Sequence, residues 1–156
     1  MPNIERLGNE SIMERDLFFL ALDSPESFPP NLQLSSPRFA CLLAWDATGV
    51  EVKRIAGLAR KLLDAGAVYI CVWGPDCERV HDIIDEEQIG PNPTLESDRV
   101  VMTTWHSDEP LAEAIWFVLH NSWPDKAYQA GCNSTLGLAI NSLQWASEIR
   151  DAFAKL

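Results

Sequence analysis

A chain of 156 residues, 47% hydrophobic and 22% charged, is long enough to bury about two thirds of its unfolded surface around one core, and its composition excludes a disordered chain. Twelve lysines and arginines against 23 aspartates and glutamates leave a formal charge of −11. That balance excludes a partner held mainly through phosphates, whether nucleic acid or an anionic membrane, and suits a basic protein surface or a metal cation, although acidity also serves solubility alone.

The start of the chain, Met1-Pro2-Asn3-Ile4-Glu5-Arg6, has no basic region leading into a long apolar run, so no secretory signal is expected. The apolar stretch 17–22 is too short to cross a bilayer. Cys41, Cys71, Cys77 and Cys132 are scattered, and the first two fall inside apolar runs where cysteine acts as a small hydrophobe. Free thiols and a cytoplasmic location are the expectation. Pro25, Pro29 and Pro30 continue neither a helix nor a central strand, and the run 16–22 is too short for its periodicity to choose between strand and helix. The expected organisation is therefore an irregular N-terminal segment, 1–38, packed on an α/β domain of 39–156.

From Phe39 the pattern becomes rhythmic. The unbroken apolar run 39–45 predicts a strand covered on both faces. Val52, Ile55, Ala56, Ala59, Leu62 and Leu63 then recur at helical spacing, with Gly66 placed for a left-handed C-terminal cap. A second apolar run, 67–73, is followed by Gly74-Pro75-Asp76 and a helix with Val80, Ile83 and Ile84 inward, Asp76 being placed as its cap. Gly90, Pro91 and Pro93 make 88–97 a loop, and 99–105 reads as a third strand. The next helix opens at Ser107-Asp108-Glu109-Pro110 and carries Leu111, Ala114, Ile115, Val118 and Leu119 inward, its apolar face widened by Trp116 and Phe117. Residues 135–140 read as a strand, and Asn141-Ser142-Leu143-Gln144 resembles a capping box opening a last helix with Trp145, Ala146, Ile149, Ala152 and Phe153 inward. This alternation predicts an α/β fold: a three-layer α/β/α sandwich, Rossmann-like or flavodoxin-like, around a mostly parallel sheet of four or five strands.

Three strands end alike. Trp45-Asp46, Trp73-Gly74-Pro75-Asp76 and Trp105-His106-Ser107-Asp108 each place a tryptophan at the exit and an acid one or three residues later. In a parallel sheet these exits share one edge, and open α/β sheets bind ligands outside the carboxyl ends of their strands. Trp45, Trp73 and Trp105 would anchor a partner or stack on a planar ligand, with Asp46, Asp76, His106 and Asp108 beside them. Asp46, Asp76 and Asp108 are also the candidate ligands for a divalent cation. Against this stands the ordinary use of each residue type, since an acid after a strand caps the following helix and an indole packs wherever it falls.

His106 is the candidate general base, and Cys77, at a helix start, the candidate nucleophile. Cys77 and His81 are four apart on one helix, but no second Cys/His pair at ligand spacing completes a zinc site. No glycine-rich phosphate loop and no nucleophile elbow follows any strand, which removes the usual dinucleotide, ATP and α/β-hydrolase chemistries.

The strings Trp73-Gly74-Pro75-Asp76-Cys77-Glu78-Arg79-Val80-His81-Asp82 and Thr103-Thr104-Trp105-His106-Ser107-Asp108-Glu109-Pro110-Leu111 resemble an uncharacterised family of small bacterial α/β proteins. The likeness covers roughly 39–140. It implies a bacterial source and transfers no catalytic residue.

Charge and missing motifs together favour a non-enzymatic acidic interaction module, an immunity-like or accessory protein that meets a basic partner protein through its tryptophan- and acid-rich sheet edge, with no cofactor. The alternative from a different class is a small metal-assisted hydrolase or nucleotide-processing enzyme, with Mg²⁺ or Mn²⁺ on the exit aspartates and His106 moving the proton. A third reading is a homodimer formed along a free sheet edge, with 135–140 as the pairing strand.

Overall fold

The computed structural model describes residues 3–89 and 100–156, which form an α/β fold around one six-stranded sheet. Its elements in chain order are β1 (Glu5–Glu10), β2 (Arg15–Leu22), a 3-10 turn (Pro25–Ser27), β3 (Arg38–Trp45), α1 (Val52–Ala65), β4 (Ala67–Trp73), α2 (Cys77–Ile89), β5 (Met102–His106), α3 (Leu111–His120), α4 (Lys126–Gln129), β6 (Cys132–Ile140) and α5 (Leu143–Ala154). The strands lie in the order β1-β2-β6-β3-β4-β5, and every neighbouring pair is parallel except β1 with β2.

The N-terminal 38 residues, expected to be irregular, supply two of these strands, so the sheet exceeds the expected four or five. The segment 16–22 resolves as strand because β6 pairs with it along its whole length, from Asp16 opposite Ser134 to Leu22 opposite Ile140. β1 escapes a reading by hydrophobicity because it is a polar edge strand, with charges at Glu5, Arg6 and Glu10 and a register shift between Arg6 and Gly8. Its turn is closed by the buried Glu10 carboxylate, which accepts from the amides of Ile12, Met13 and Arg15 at 2.7, 2.9 and 3.0 Å. The loop predicted at 88–97 begins later, since Gln88 and Ile89 close α2, and the remainder lies outside the described residues together with Arg99.

The strand 135–140 is not an edge. β6 sits between β2 and β3 and is paired on both sides, which leaves it no hydrogen-bonding groups for a second copy. Buried on both faces, it takes α5 at close range at Gly137, where an added Cβ would collide with Ile149 and Phe153. Alternate strand residues serve two hydrophobic clusters. One joins Cys41, Leu43, Ile70, Val72 and Leu138 to α1 and α2, and the other joins Ala40, Leu42, Tyr69, Cys71 and Ala139 to α3 and α5. The inward faces expected for the helices are as the periodicity placed them, apart from Val52 at the start of α1, which is exposed, and Trp116 on α3. Trp116 is half exposed and stacks on His120 instead of widening the buried face, while Phe117 packs partly against the second cluster.

Two glycine substitutions separate packing from helix propensity. Gly137→Ala should destabilise the chain by about 1–3 kcal/mol through overpacking against α5, whereas Gly57→Ala, on the exposed side of α1 with nothing within 4 Å of its added Cβ, should stabilise it by about 0.5–1 kcal/mol. Urea unfolding midpoints read both.

Candidate functional site

Register aligns the strand exits. Leu22 lies opposite Ile140, Ile140 opposite Trp45, Ala44 opposite Trp73 and Trp73 opposite His106, so the carboxyl ends of β2, β6, β3, β4 and β5 form one rim. Along that rim the chain is strained at three non-glycine positions: Asp76, Asp108 and Asn141 follow β4, β5 and β6 at φ 67, 59 and 55°. Aspartate and asparagine tolerate this left-handed conformation better than other side chains, which is why they occur there. Gly74 (φ 122°) lies so close to the exit of β3 that a Cβ would collide with the Trp45 carbonyl.

The exits of β3 and β4 are fastened together. Ala47 N–H donates to Pro75 O at 3.2 Å, and Arg79 reaches back from α2 to the carbonyls of Ala47 and Val50 at 2.8 and 2.9 Å. The exits of β4 and β5 diverge instead, because α2 returns over one face of the sheet and α3 over the other. A topological switch of this kind opens a crevice. It is a cleft of about 710 Å³ lined by Trp73 to Glu78 from the β4 exit, His106 to Pro110 from the β5 exit, and Trp145 from α5.

Two indoles furnish its apolar wall. Trp73 and Trp145 meet edge to face at 4.9 Å and 87°, and Trp73 Nε1 donates to Glu109 O at 2.9 Å. Ser142 fixes the start of α5 by accepting from Trp145 N–H, which sets the height of that indole. The polar wall is acidic: Asp76, Glu78, Asp108 and Glu109 all line the cleft. Asp76 is paired with Arg79 (2.7 Å) and Glu109 with His106 Nδ1 (2.7 Å), whereas Glu78 and Asp108 make no hydrogen bond or ion pair among the described residues.

Of the residues singled out by sequence, the structure gathers Trp73, Asp76, Cys77, His106 and Asp108 at this cleft. Trp45 and Trp105 do not join them. Trp45 is 4% exposed within the cluster under α1 and α2, and Trp105, on the same face of the sheet as Trp45, packs its ring 4.6 Å from His81. Trp73 points to the other face, so the three tryptophans share a rim but not a site. Asp46 turns away, accepting from Thr48 N–H in a local turn. Among the described residues no three His, Cys, Asp or Glu side chains come together as a metal-holding group, and Asp46, Asp76 and Asp108 are no exception. Nor do these aspartates cap helices through their side chains: α1 and α3 have Glu51 and Pro110 at their caps, and Asp76, which precedes α2, is engaged by Arg79.

His106 is held at both ring nitrogens, Nδ1 by Glu109 and Nε2 by Thr104 at 2.9 Å, with Phe117 4.7 Å from its ring. Such a clamp fixes the imidazole and leaves neither nitrogen free to act on a ligand in the cleft. His81 is engaged by Asp82 and Asp85 and not by Cys77. Burial pushes the Cys77 thiol above its ordinary pKa, and the surrounding backbone amides of His106, Cys77, Gly74 and Glu78 offset this only in part. Trp145, Glu78 and Glu109 were missed because a site formed by divergent crossovers depends on strand order, which no local pattern encodes.

An α/β chain with a mostly parallel sheet and an acidic, indole-walled cleft at one rim is thus the class of protein that fold and site define. The chain belongs to the family described as a domain of unknown function, DUF7684, which matches residues 17–156 and so takes in nearly everything from β2 onward. Curated proteins and solved structures gave no significant match. No helix among the described residues is long and apolar enough to cross a membrane.

All four cysteines are buried, and burial raises every thiol pKa, that of Cys71 to about 12. The native chain at pH 8 should therefore resist iodoacetamide at all four positions, with rapid labelling only after denaturation, as read by intact mass. Because the unfolded chain ionises these thiols from about pH 8.5 while the folded chain holds them neutral, folding stability should fall as pH rises from about 8.5 toward 12. Urea titrations at stepped pH measure that slope.

Proposed function

We propose that the chain is a non-enzymatic interaction module that binds a basic partner protein through the cleft between the exits of β4 and β5. One observation carries this reading: two carboxylates without cationic partners among the described residues, Glu78 and Asp108, stand beside two indoles in a preformed crevice on a chain of net charge −11. Buried aromatic anchors ringed by polar groups are the usual energetic centre of a protein interface, and a negative field accelerates encounter with a positive surface. The candidate catalytic groups favour the same conclusion, since the imidazole of His106 is occupied on both sides and the Cys77 thiol is held neutral.

The reading extends to the architecture and setting expected from sequence. Helices packed on both faces support a doubly wound, three-layer fold of the Rossmann-like kind, with a strand order of its own. A bacterial, cytoplasmic accessory or immunity-like role agrees with four free thiols and strong acidity. A metal-assisted hydrolase would need Asp46, Asp76 and Asp108 on one cation, and with Asp46 held in a local turn and Asp76 by Arg79 that alternative finds no support.

Affinity capture tests the proposal. A basic protein partner retained at about 0.05 M salt should be lost by about 0.5 M, when the screening length shrinks below the reach of the rim charges. Trp145→Ala should weaken retention at least about tenfold, as expected of a central aromatic anchor. Binding indifferent to both changes would exclude the cleft as the interface.

A further inference from the structure

The hydrogen bonds already made within the cleft define what it lacks. Trp73 Nε1 is spent on Glu109 O, His106 Nδ1 on Glu109 Oε1, and His106 Nε2 on Thr104. Arg79 is spent on Asp76 and on two backbone carbonyls. Among the lining side chains this leaves the Ser107 hydroxyl and the Trp145 indole N–H, which makes no hydrogen bond among the described residues, as neutral donors, against the open, charged acceptors of Glu78 and Asp108. An anion finds no lining cationic side chain to receive it and meets two carboxylates unpaired among the described residues. The complementary ligand is one made of donors, positively charged, and flat enough to lie on an indole.

We infer that the cleft receives an arginine side chain of the basic partner, its guanidinium lying against Trp73 or Trp145 and donating to Asp108 and Glu78. This deepens the basic-partner reading and rests on it. The paired indoles are the observation that points beyond acidity: carboxylates alone attract any cation, whereas an aromatic wall selects a planar, weakly hydrated one with an apolar stem. A lysine ammonium, compact and strongly hydrated, gains the charge term without the stacking or the forked donors. A cleft of about 710 Å³ has room for the side chain and the peptide backbone on either side of it.

The test uses the ¹⁵N-labelled full chain, titrated separately with Nα-acetyl-arginine amide and Nα-acetyl-lysine amide. The arginine amide should shift the indole N–H signals of Trp73 and Trp145 and the amides of Ser107 to Glu109, with a dissociation constant of about 1–10 mM. The lysine amide should bind at least about fivefold more weakly. The double variant Asp108→Asn/Glu78→Gln should weaken arginine binding about tenfold, and it keeps the fold because Asn suits the left-handed backbone at position 108 and Glu78 is exposed. Equal binding of the two amides, or undiminished binding by the variant, overturns the arginine anchor while leaving a basic partner in place. If a tetra-arginine peptide also moves no cleft signal, the anchor and the basic-partner reading fall together.

Discussion

The sheet depends on a strand that arrives last. β6 enters between β2 and β3, and its pairing is all that joins the N-terminal hairpin to the β3-β4-β5 half of the sheet. Until residues 132–140 are in place, β2 and β3 present unpaired edges to each other, at a cost no loop contact repays. The buried Arg15 secures the same junction, donating to Ser122 Oγ and O at 2.8 Å each and so tying the start of β2 to the chain leaving α3. Gly137, by letting α5 lie close on β6, completes the cover on one face.

Placing β6 in the centre also decides where the cleft opens. To reach that slot the chain must leave β5, the outermost strand, and travel back over the face opposite α2, and α3 is the first part of that return. Divergence at the β4 and β5 exits follows from this path, as do the indole wall contributed by α5 and the acidic wall contributed by the leaders of α2 and α3. The chemistry of the rim is thereby set by neighbours distant in sequence. Negative charge is left uncompensated there in part because Arg79 is committed to Asp76 and to bridging the β3 and β4 exits.

The central strands and the long helices were legible because burial on both faces, or on one helical stripe, leaves a direct periodic record in the residues 39–45, 52–65 and 67–73. β1 was not, since an exposed edge strand avoids that record to prevent unwanted pairing. The recurrence of tryptophan at three exits correctly marked the rim. It misjudged the site because side chains alternate across a sheet: Trp45 and Trp105 share one face, and Trp73 occupies the other. Trp145 lay beyond local reasoning altogether, as only the insertion of β6 brings the start of α5 beneath the β4 exit.

The bond from the Trp73 indole to the Glu109 carbonyl spans 36 positions of chain and works as a strut between the sheet and the segment leading into α3. For the partner proposed above, a wall braced in this way would be in place before docking, so little ordering entropy would be lost on binding. The same brace makes the rim stiff: a visitor of the wrong shape would have to break a part-buried hydrogen bond to widen the opening. Under the proposed reading, shape discrimination at this surface would be inherited from the folding of the scaffold.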